Sequence, residues 1–308
     1  MEKRIIIKAF PRGFCSGVKR GIEILEDTIK REEGTVYVRR EIVHNTLLVN
    51  HFKSLGAVFV EEIDEIQDGS VVVFSTHGVA PSVRKKAMEK NLKIIDATCP
   101  LVTKVHNEAI KFKNQGYTIV LIGIPDHPEV IGTAGEAPDN IIVIRDERDF
   151  YKLDGIDGSR IAWLSQTTLN ADETKKTAER LREKFPLLHD PLQDSICYAT
   201  KERQLAVRNI AGKCDLFITV GSKNSSNSQR LADVALESGA KQSILVDAPE
   251  ELNDIDFSSA NIIGISSGVS VTEDQLTGVI TYLEKIGYNN SEEVKSEEDI
   301  SKFDKNKF

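Results

Sequence analysis

IIIKAFPRGFCSGVKRGIEILEDTIKREEGTVYV, residues 5–38, carries one full α/β period. The unbroken apolar run Ile5 to Phe10 reads as a strand, and Cys15 follows it. Val18, Ile22, Leu25 and Ile29 then recur on one helical face, Gly34 closes the helix, and Val36 to Val38 start another strand. The same order of signals returns twice. In DATCP (96–100), Cys99 follows Ile94 and Ile95 and precedes Val102, Val105, Ala109 and Phe112, with Gly116 as the stop and Tyr117 to Ile122 as the next strand. In DSICYAT (194–200), Cys197 precedes Ala206 and Ile210, with Gly212 as the stop and Leu216 to Val220 beyond it. A fixed order of elements at long period marks a structural repeat. The pattern predicts three cysteines at helix N-termini, each helix ending on glycine.

Each second strand ends in a polar cluster: EIVHN, PDHPEV and GSKNSSN. The intervals match, at 29 residues from Cys15 to His44, 28 from Cys99 to His127 and 28 from Cys197 to Ser225. A further strand in each unit also ends in polar residues, in VVVFSTHG (His77), IAWLSQTT (Thr167) and IIGISSGVS (Ser270). Ligands of open α/β sheets bind beyond the carboxyl ends of strands and at helix N-termini, which is where all these residues fall. The expected fold is therefore α/β, with three similar domains (1–97, 98–194 and 195–288) facing one central cavity. Residues 289–308 are charged and poor in apolar side chains, and read as a tail with at most a short strand at Ile300 to Phe303.

Bulk properties exclude several classes. A chain of 308 residues suggests two or three domains. With 40 basic and 48 acidic residues the net charge is -8, and without a basic block neither nucleic acid nor an anionic membrane is an expected partner. The longest apolar stretch, Ile119 to Ile124, is far too short to span a bilayer, and no secretory leader is legible, so a cytoplasmic location is expected. Four cysteines without a C-x-x-C pair argue against a disulfide scaffold or zinc ribbon.

One cysteine alone is ordinarily an inert core thiol. Three at helix N-termini, where the helix dipole favours thiolate, suit zinc or a 4Fe-4S cluster with one iron left without a protein ligand. Their wide separation in sequence favours the cluster. Ser225, Ser226 and Asn227 offer hydroxyls and an amide before a helix expected at Gln229 to Glu237, a cradle for phosphate oxygens as well as an ordinary cap. His44, His77 and His127 at equivalent strand ends point to an anion site, since imidazole donates to phosphate in either charge state. Glu129, two residues beyond His127, has no basic neighbour in sequence; inside such a cavity its pKa would rise and it would serve as a proton donor. Thr167 would relay that proton or orient a substrate hydroxyl.

PRGFCSGV, YVRREIVHN, VFSTHGV, DATCPLVTKVH, HPEV, SQTTL, ICYAT and VGSKNSSNS together resemble the 4-hydroxy-3-methylbut-2-enyl diphosphate reductase family of the methylerythritol phosphate route to isoprenoids. The resemblance runs from about residue 11 to residue 270. It implies a trefoil-like arrangement of the three domains around one 4Fe-4S cluster held by Cys15, Cys99 and Cys197. It further implies diphosphate binding by His44, His77, His127, Ser225, Ser226, Asn227 and Ser270, proton donation by Glu129, and Thr167 beside the substrate hydroxyl. Two electrons and two protons would expel water, giving isopentenyl and dimethylallyl diphosphates. Around Ser270 the chain reads GVSVTED, where the family commonly has a proline soon after the serine. Cys214 matches no ligand of the family and reads as structural.

No flavin or nicotinamide fingerprint is present, so electrons are expected from a separate carrier, ferredoxin or flavodoxin. A monomer is expected, although no feature of the sequence decides it. Two rivals are a cluster-dependent dehydratase or isomerase of a phosphorylated metabolite, which needs no net electrons, and a non-catalytic iron-sulfur redox sensor.

Overall fold

The computed structural model describes residues 4–295. The short strand expected at Ile300 to Phe303 lies outside these residues. In chain order the elements begin β1 (Ile5–Phe10), α1 (Ser16–Arg31), β2 (Val36–Arg39), α2 (Thr46–Ser54), β3 (Val58–Val60), β4 (Val71–Phe74), α3 (Pro81–Glu89) and β5 (Lys93–Asp96). They continue α4 (Pro100–Asn114), β6 (Thr118–Ile122), α5 (Pro128–Glu136), β7 (Ile141–Ile144), β8 (Ile161–Ser165) and α6 (Ala171–Lys184). The last are α7 (Tyr198–Ala211), β9 (Leu216–Val220), α8 (Ser226–Glu237), β10 (Gln242–Val246), β11 (Ile262–Ser267), α9 (Glu273–Lys285) and β12 (Asn290–Lys295). The protein is α/β, and every named strand pairs in parallel.

Two compact units partition the chain: Ser16–Cys197, and Met1–Cys15 together with Tyr198–Phe308. The continuous unit contains two sheets, ordered β3-β2-β4-β5 and β7-β6-β8. In the second of these, Val120 and Ile122 face one core with Trp163 and Leu181, while Ile119 and Leu121 face another with Val105 and Phe112. A strand buried on both faces needs an unbroken apolar run, which is what TIVLI supplies. Each such fully buried side chain contributes about 1.5–3 kcal/mol relative to exposure.

The discontinuous unit is built on one sheet, ordered β10-β9-β11-β1-β12. Ile6 packs with Leu216, Ile218 and Val220 on one face, and Ile7 and Ala9 pack with Phe217 on the other. Two elements differ from expectation. The run Ile5–Phe10, read as the opening strand of the first repeat, pairs instead with β11, Ile7 opposite Gly264, and with β12. Its local pattern says that it is a doubly buried strand and nothing about which strand it joins. The segment after Asn289, read as a tail, begins with β12, an exposed edge strand whose charged residues blunt the sheet edge.

The three cysteines lie where the repeat places them. Cys15 and Cys197 immediately precede α1 and α7, and Cys99 is the N-cap of α4 with Pro100 in the first turn. Gly116 follows the C-cap of α4 at φ 76, and the Tyr117 N–H returns to the Phe112 carbonyl, a turn that glycine permits without strain. Among the described residues, no helix is long and apolar enough to cross a membrane.

Candidate functional site

In the continuous unit, the strand ends of β2, β4 and β6 deliver three imidazoles to one cluster. His44 and His77 stack with ring centroids 4.3 Å apart, and His127 meets them edge-on at 5.3 and 5.6 Å. His127 caps α5, its Nδ1 accepting from the Glu129 N–H at 3.1 Å, so a neutral ring carries its proton on Nε2 as a donor. His44 Nδ1 lies 2.9 Å from Glu41 Oε2. Burial pushes the His77 pKa well below its ordinary value, with the charges of His44, His127 and Arg40 adding to the effect. Burial, then His44 and Arg40, lowers that of His127 to about 3. At neutral pH these two rings are neutral donors, poised to be charged by an arriving anion.

Glu129, the second residue of α5, is buried and its carboxylate is gripped by one residue. The Thr167 N–H donates to Oε1 at 2.6 Å and the Thr167 hydroxyl to Oε2 at 3.0 Å. Burial raises the Glu129 pKa to about 7, against the lowering effect of those two bonds and of His106 and His44. A carboxyl balanced near neutrality is a competent proton donor. The Thr167 carbonyl accepts the Cys197 N–H at 3.0 Å, and Thr76, next to His77, accepts the Cys99 N–H at 3.0 Å. Two thiols and the acid-imidazole group therefore share one backbone scaffold.

These shifts have opposite consequences for stability. Glu129, with a raised folded-state pKa, contributes stability that is present below its ordinary 4.5 and lost as pH rises through about 7. His127, depressed from 6.5 to about 3, contributes stability present above 6.5 and lost as pH falls through about 3. Glutamine mimics the protonated acid at every pH and so removes the loss that the parent suffers as pH rises. At pH 8, Glu129→Gln is expected to melt higher than the parent by roughly 5 to 10 °C, corresponding to roughly 3 kcal/mol, with the gap closing near pH 4.5. Calorimetry across that range checks it.

Of three thiols, Cys99 and Cys197 lie in the continuous unit and Cys15 in the other. Cys15, Cys99 and Cys197 are partly accessible, whereas Cys214 is buried. The Cys214 thiol donates to the Ile210 carbonyl, and burial pushes its pKa up to about 12, which leaves it inert. A Cβ built on Gly17 would lie 2.6 Å from the Cys99 sulfur, so the start of α1 leaves room for that sulfur only as glycine. Among the described residues no three His, Cys, Asp or Glu side chains stand close enough to hold one metal ion. Gly17→Ala is expected to keep the fold, since alanine favours a helix, but to lower iron bound per chain; melting and iron analysis of the purified variant check both.

In the discontinuous unit, Cys15 donates its N–H to the Val269 carbonyl at 3.3 Å. Gly13, two residues earlier, donates to Ser267 Oγ at 2.8 Å and accepts from Arg203 at 2.7 Å. Ser225 is the N-cap of α8, and its Oγ accepts from the Ser228 N–H and hydroxyl. The helix starts at Ser226, three residues earlier than the Gln229 start expected, because Ser225 supplies the cap. Asn227 is buried in the first turn, and neither atom of its amide has a hydrogen-bond partner among the described residues. An unsatisfied buried amide at a helix N-terminus is costly unless a ligand completes it, and its Nδ2 is placed to donate to an anion's oxygen. Ser226 and Ser270 are buried beside their strand ends. Glycine at 268 is required by the close approach of Ser228 Oγ to its backbone.

Several participants were not singled out from the sequence. Arg40, at φ 58, places its charge close enough to shift His77 and His127. Its position four residues before His44 at the same strand end is the signal that marks it. Gln166 accepts from the Ile124 N–H at 3.1 Å and donates to Thr168 at 3.0 Å, tying the loop before His127 to the one that carries Thr167.

A family model described as LytB protein matches residues 6–284. The 4-hydroxy-3-methylbut-2-enyl diphosphate reductase of Acidothermus cellulolyticus is 49% identical over 303 residues, covering 98% of this chain and 89% of its own. The protein of the same name from Mycobacterium sp. strain KMS is 50% identical over 286 residues, covering 93% and 86%. Among solved structures, the E-1-hydroxy-2-methyl-but-2-enyl-4-diphosphate reductase of Plasmodium falciparum aligns with a TM-score of 0.92 at 34% identity, over 98% of this chain and 95% of its own.

Proposed function

The chain belongs to the LytB family, and from that premise we propose that it is an iron-sulfur oxidoreductase that removes the hydroxyl group of (E)-4-hydroxy-3-methylbut-2-enyl diphosphate. The products are isopentenyl and dimethylallyl diphosphates, and the reaction is the last step of the methylerythritol phosphate route. The observation that carries this reading for the residues of this chain is the buried Glu129 carboxyl, held by both donors of Thr167 beside three imidazoles.

The proposed cofactor is one 4Fe-4S cluster on Cys15, Cys99 and Cys197. When bound, it would relay the two electrons one at a time from the external donor and offer a Lewis-acidic iron. The chain's own residues do the rest. His44, His77 and His127, with Ser225, Ser226, Asn227 and Ser270, hold the diphosphate and so fix where the allylic hydroxyl lies. Thr167 orients that hydroxyl through its Oγ1. Glu129 gives the proton with which the C–O bond breaks and water leaves. A second proton goes to carbon, so that two electrons and two protons balance one water and one isoprenoid diphosphate. Burial of Glu129 and Thr167 keeps bulk water from quenching the site.

The segments 1–97, 98–194 and 195–288 are proposed as the domains, with Ile5–Phe10 lent to the sheet of the third. Ferredoxin or flavodoxin is proposed as the electron donor and the cytoplasm as the location. An anaerobic assay of the purified protein with the hydroxylated diphosphate tests the function. Consumption that requires a chemical reductant and yields both isoprenoid diphosphates is expected; consumption without reductant would establish a dehydratase or isomerase instead.

A further inference from the structure

One buried ionisable pair in the continuous unit has no part in the reaction described above. His106, on α4, lies with Nδ1 2.9 Å from Glu136 Oε1, at the last residue of α5. Both side chains are largely buried, at 9% and 13% exposure. The other ring nitrogen, Nε2, is buried without a hydrogen-bond partner among the described residues. A histidine that served only to satisfy the core would have both nitrogens engaged or one of them in water.

The ring occupies a slot cut for it by glycines. A Cβ on Gly78, the neighbour of His77, would lie 3.0 Å from His106 Cε1 and 3.2 Å from Nε2. A Cβ on Gly132 would lie 3.4 Å from each of those atoms. Gly132 stands three residues after Glu129 and four before Glu136, so all three occupy one face of α5. The Nδ1 edge of the imidazole thus meets the end of that face carrying Glu136, and its Nε2 edge overlies the turn next to Glu129. The carboxyl of Glu129 senses the charge on His106.

We propose that Glu136 and His106 form the route by which the buried Glu129 carboxyl regains its proton after each turnover. The inference rests on the reading of Glu129 as the proton donor. A proton from water is taken by Glu136 and passed to Nδ1 of a ring protonated on Nε2. The Nε2 proton then leaves for the Glu129 carboxylate through one water, and a water-mediated shift of the remaining ring proton from Nδ1 to Nε2 restores the starting tautomer. No electron moves, and the net change is one proton carried from solvent to Glu129. The arrangement answers a need that burial creates: a carboxyl that is 2% exposed has no direct supply of protons.

The test is pre-steady-state product formation by the cluster-loaded enzyme, run anaerobically with excess reductant and substrate, for His106→Gln and Glu136→Gln. Each variant is expected to complete its first turnover at the parental rate, because Glu129 starts protonated, and then to slow by about tenfold or more, giving a burst of one product per chain. Exogenous imidazole should speed the slow phase of a His106→Gly variant. Steady turnover of both glutamine variants at the parental rate would overturn the relay, as would a first turnover slowed as much as later ones, which marks a packing role. Infrared titration of the Glu129 carboxylic acid band, identified by its loss in Glu129→Gln, gives a readout independent of turnover. In His106→Gln the band should disappear at higher pH than in the parent, and an unmoved band would sink the coupling. If Glu129→Gln itself turns over normally, the donor reading fails first, whatever the relay variants do.

Discussion

Glu129→Gln is expected to lose about 10²- to 10⁴-fold in turnover while binding substrate within a few-fold of the parent. Glutamine has the same shape, and its carbonyl oxygen still accepts the Thr167 N–H that now bonds to Oε1. The Thr167 hydroxyl, which now donates to Oε2, needs only to rotate and accept from the amide. Packing, loop position and the imidazole cluster are thereby preserved, and only the transferable proton is removed. A loss of that size corresponds to about 3–5 kcal/mol in the barrier. Anaerobic kcat and KM with a chemical reductant, alongside calorimetric binding of the substrate, measure it. Parental turnover would remove Glu129 from the mechanism, and a rise in KM at unchanged kcat would make it a binding residue.

Replacing Cys197 by serine is expected to abolish turnover and strip iron from the chain, whereas Cys214→Ala keeps both. The main-chain bond from Cys197 to the Thr167 carbonyl does not involve the side chain, so the local backbone stays in place while the thiolate is lost. A serine hydroxyl ionises far less readily and does not replace a thiolate toward iron. Cys214 has neither the accessibility nor the acidity for a ligand, being buried with its thiol pushed to about 12. Anaerobic purification followed by iron and sulfide analysis decides it, with about four of each per chain expected for the parent and for Cys214→Ala. Full iron in Cys197→Ser, or its loss in Cys214→Ala, would overturn the assignment of ligands.

What the sequence disclosed and what it concealed follow from the range of the forces involved. The cysteines ahead of α1, α4 and α7, and His44, His77 and His127 beyond their strands, were legible because strand, turn and helix start within a few residues of one another. The sheet that the N-terminal strand joins was not legible, because parallel pairing is decided by packing of distant segments and IIIKAF would fit any doubly buried slot. NSEEVK passed for a tail because an edge strand facing solvent has no need of apolar residues. Arg40 and His106 escaped for a related reason. The first depends on a left-handed backbone turn and the second on glycines contributed by two other segments, neither of which leaves a periodic trace.

The position of β1 between β11 and β12 also bears on how the protein is made. This strand leaves the ribosome long before the strands that pair with it, since Ile7 pairs with Gly264. At roughly 5–20 residues per second the wait lasts on the order of ten to fifty seconds. During that time the whole of Ser16–Cys197 is synthesised and, as a continuous unit, is free to fold. The apolar run IIIKAF has no β-partner until translation reaches the strands that enclose it, and a β-prone segment of this kind is exposed to wrong pairing meanwhile. Birth order and assembly order run in opposite directions at this one strand, and slowing synthesis would lengthen the exposure in proportion.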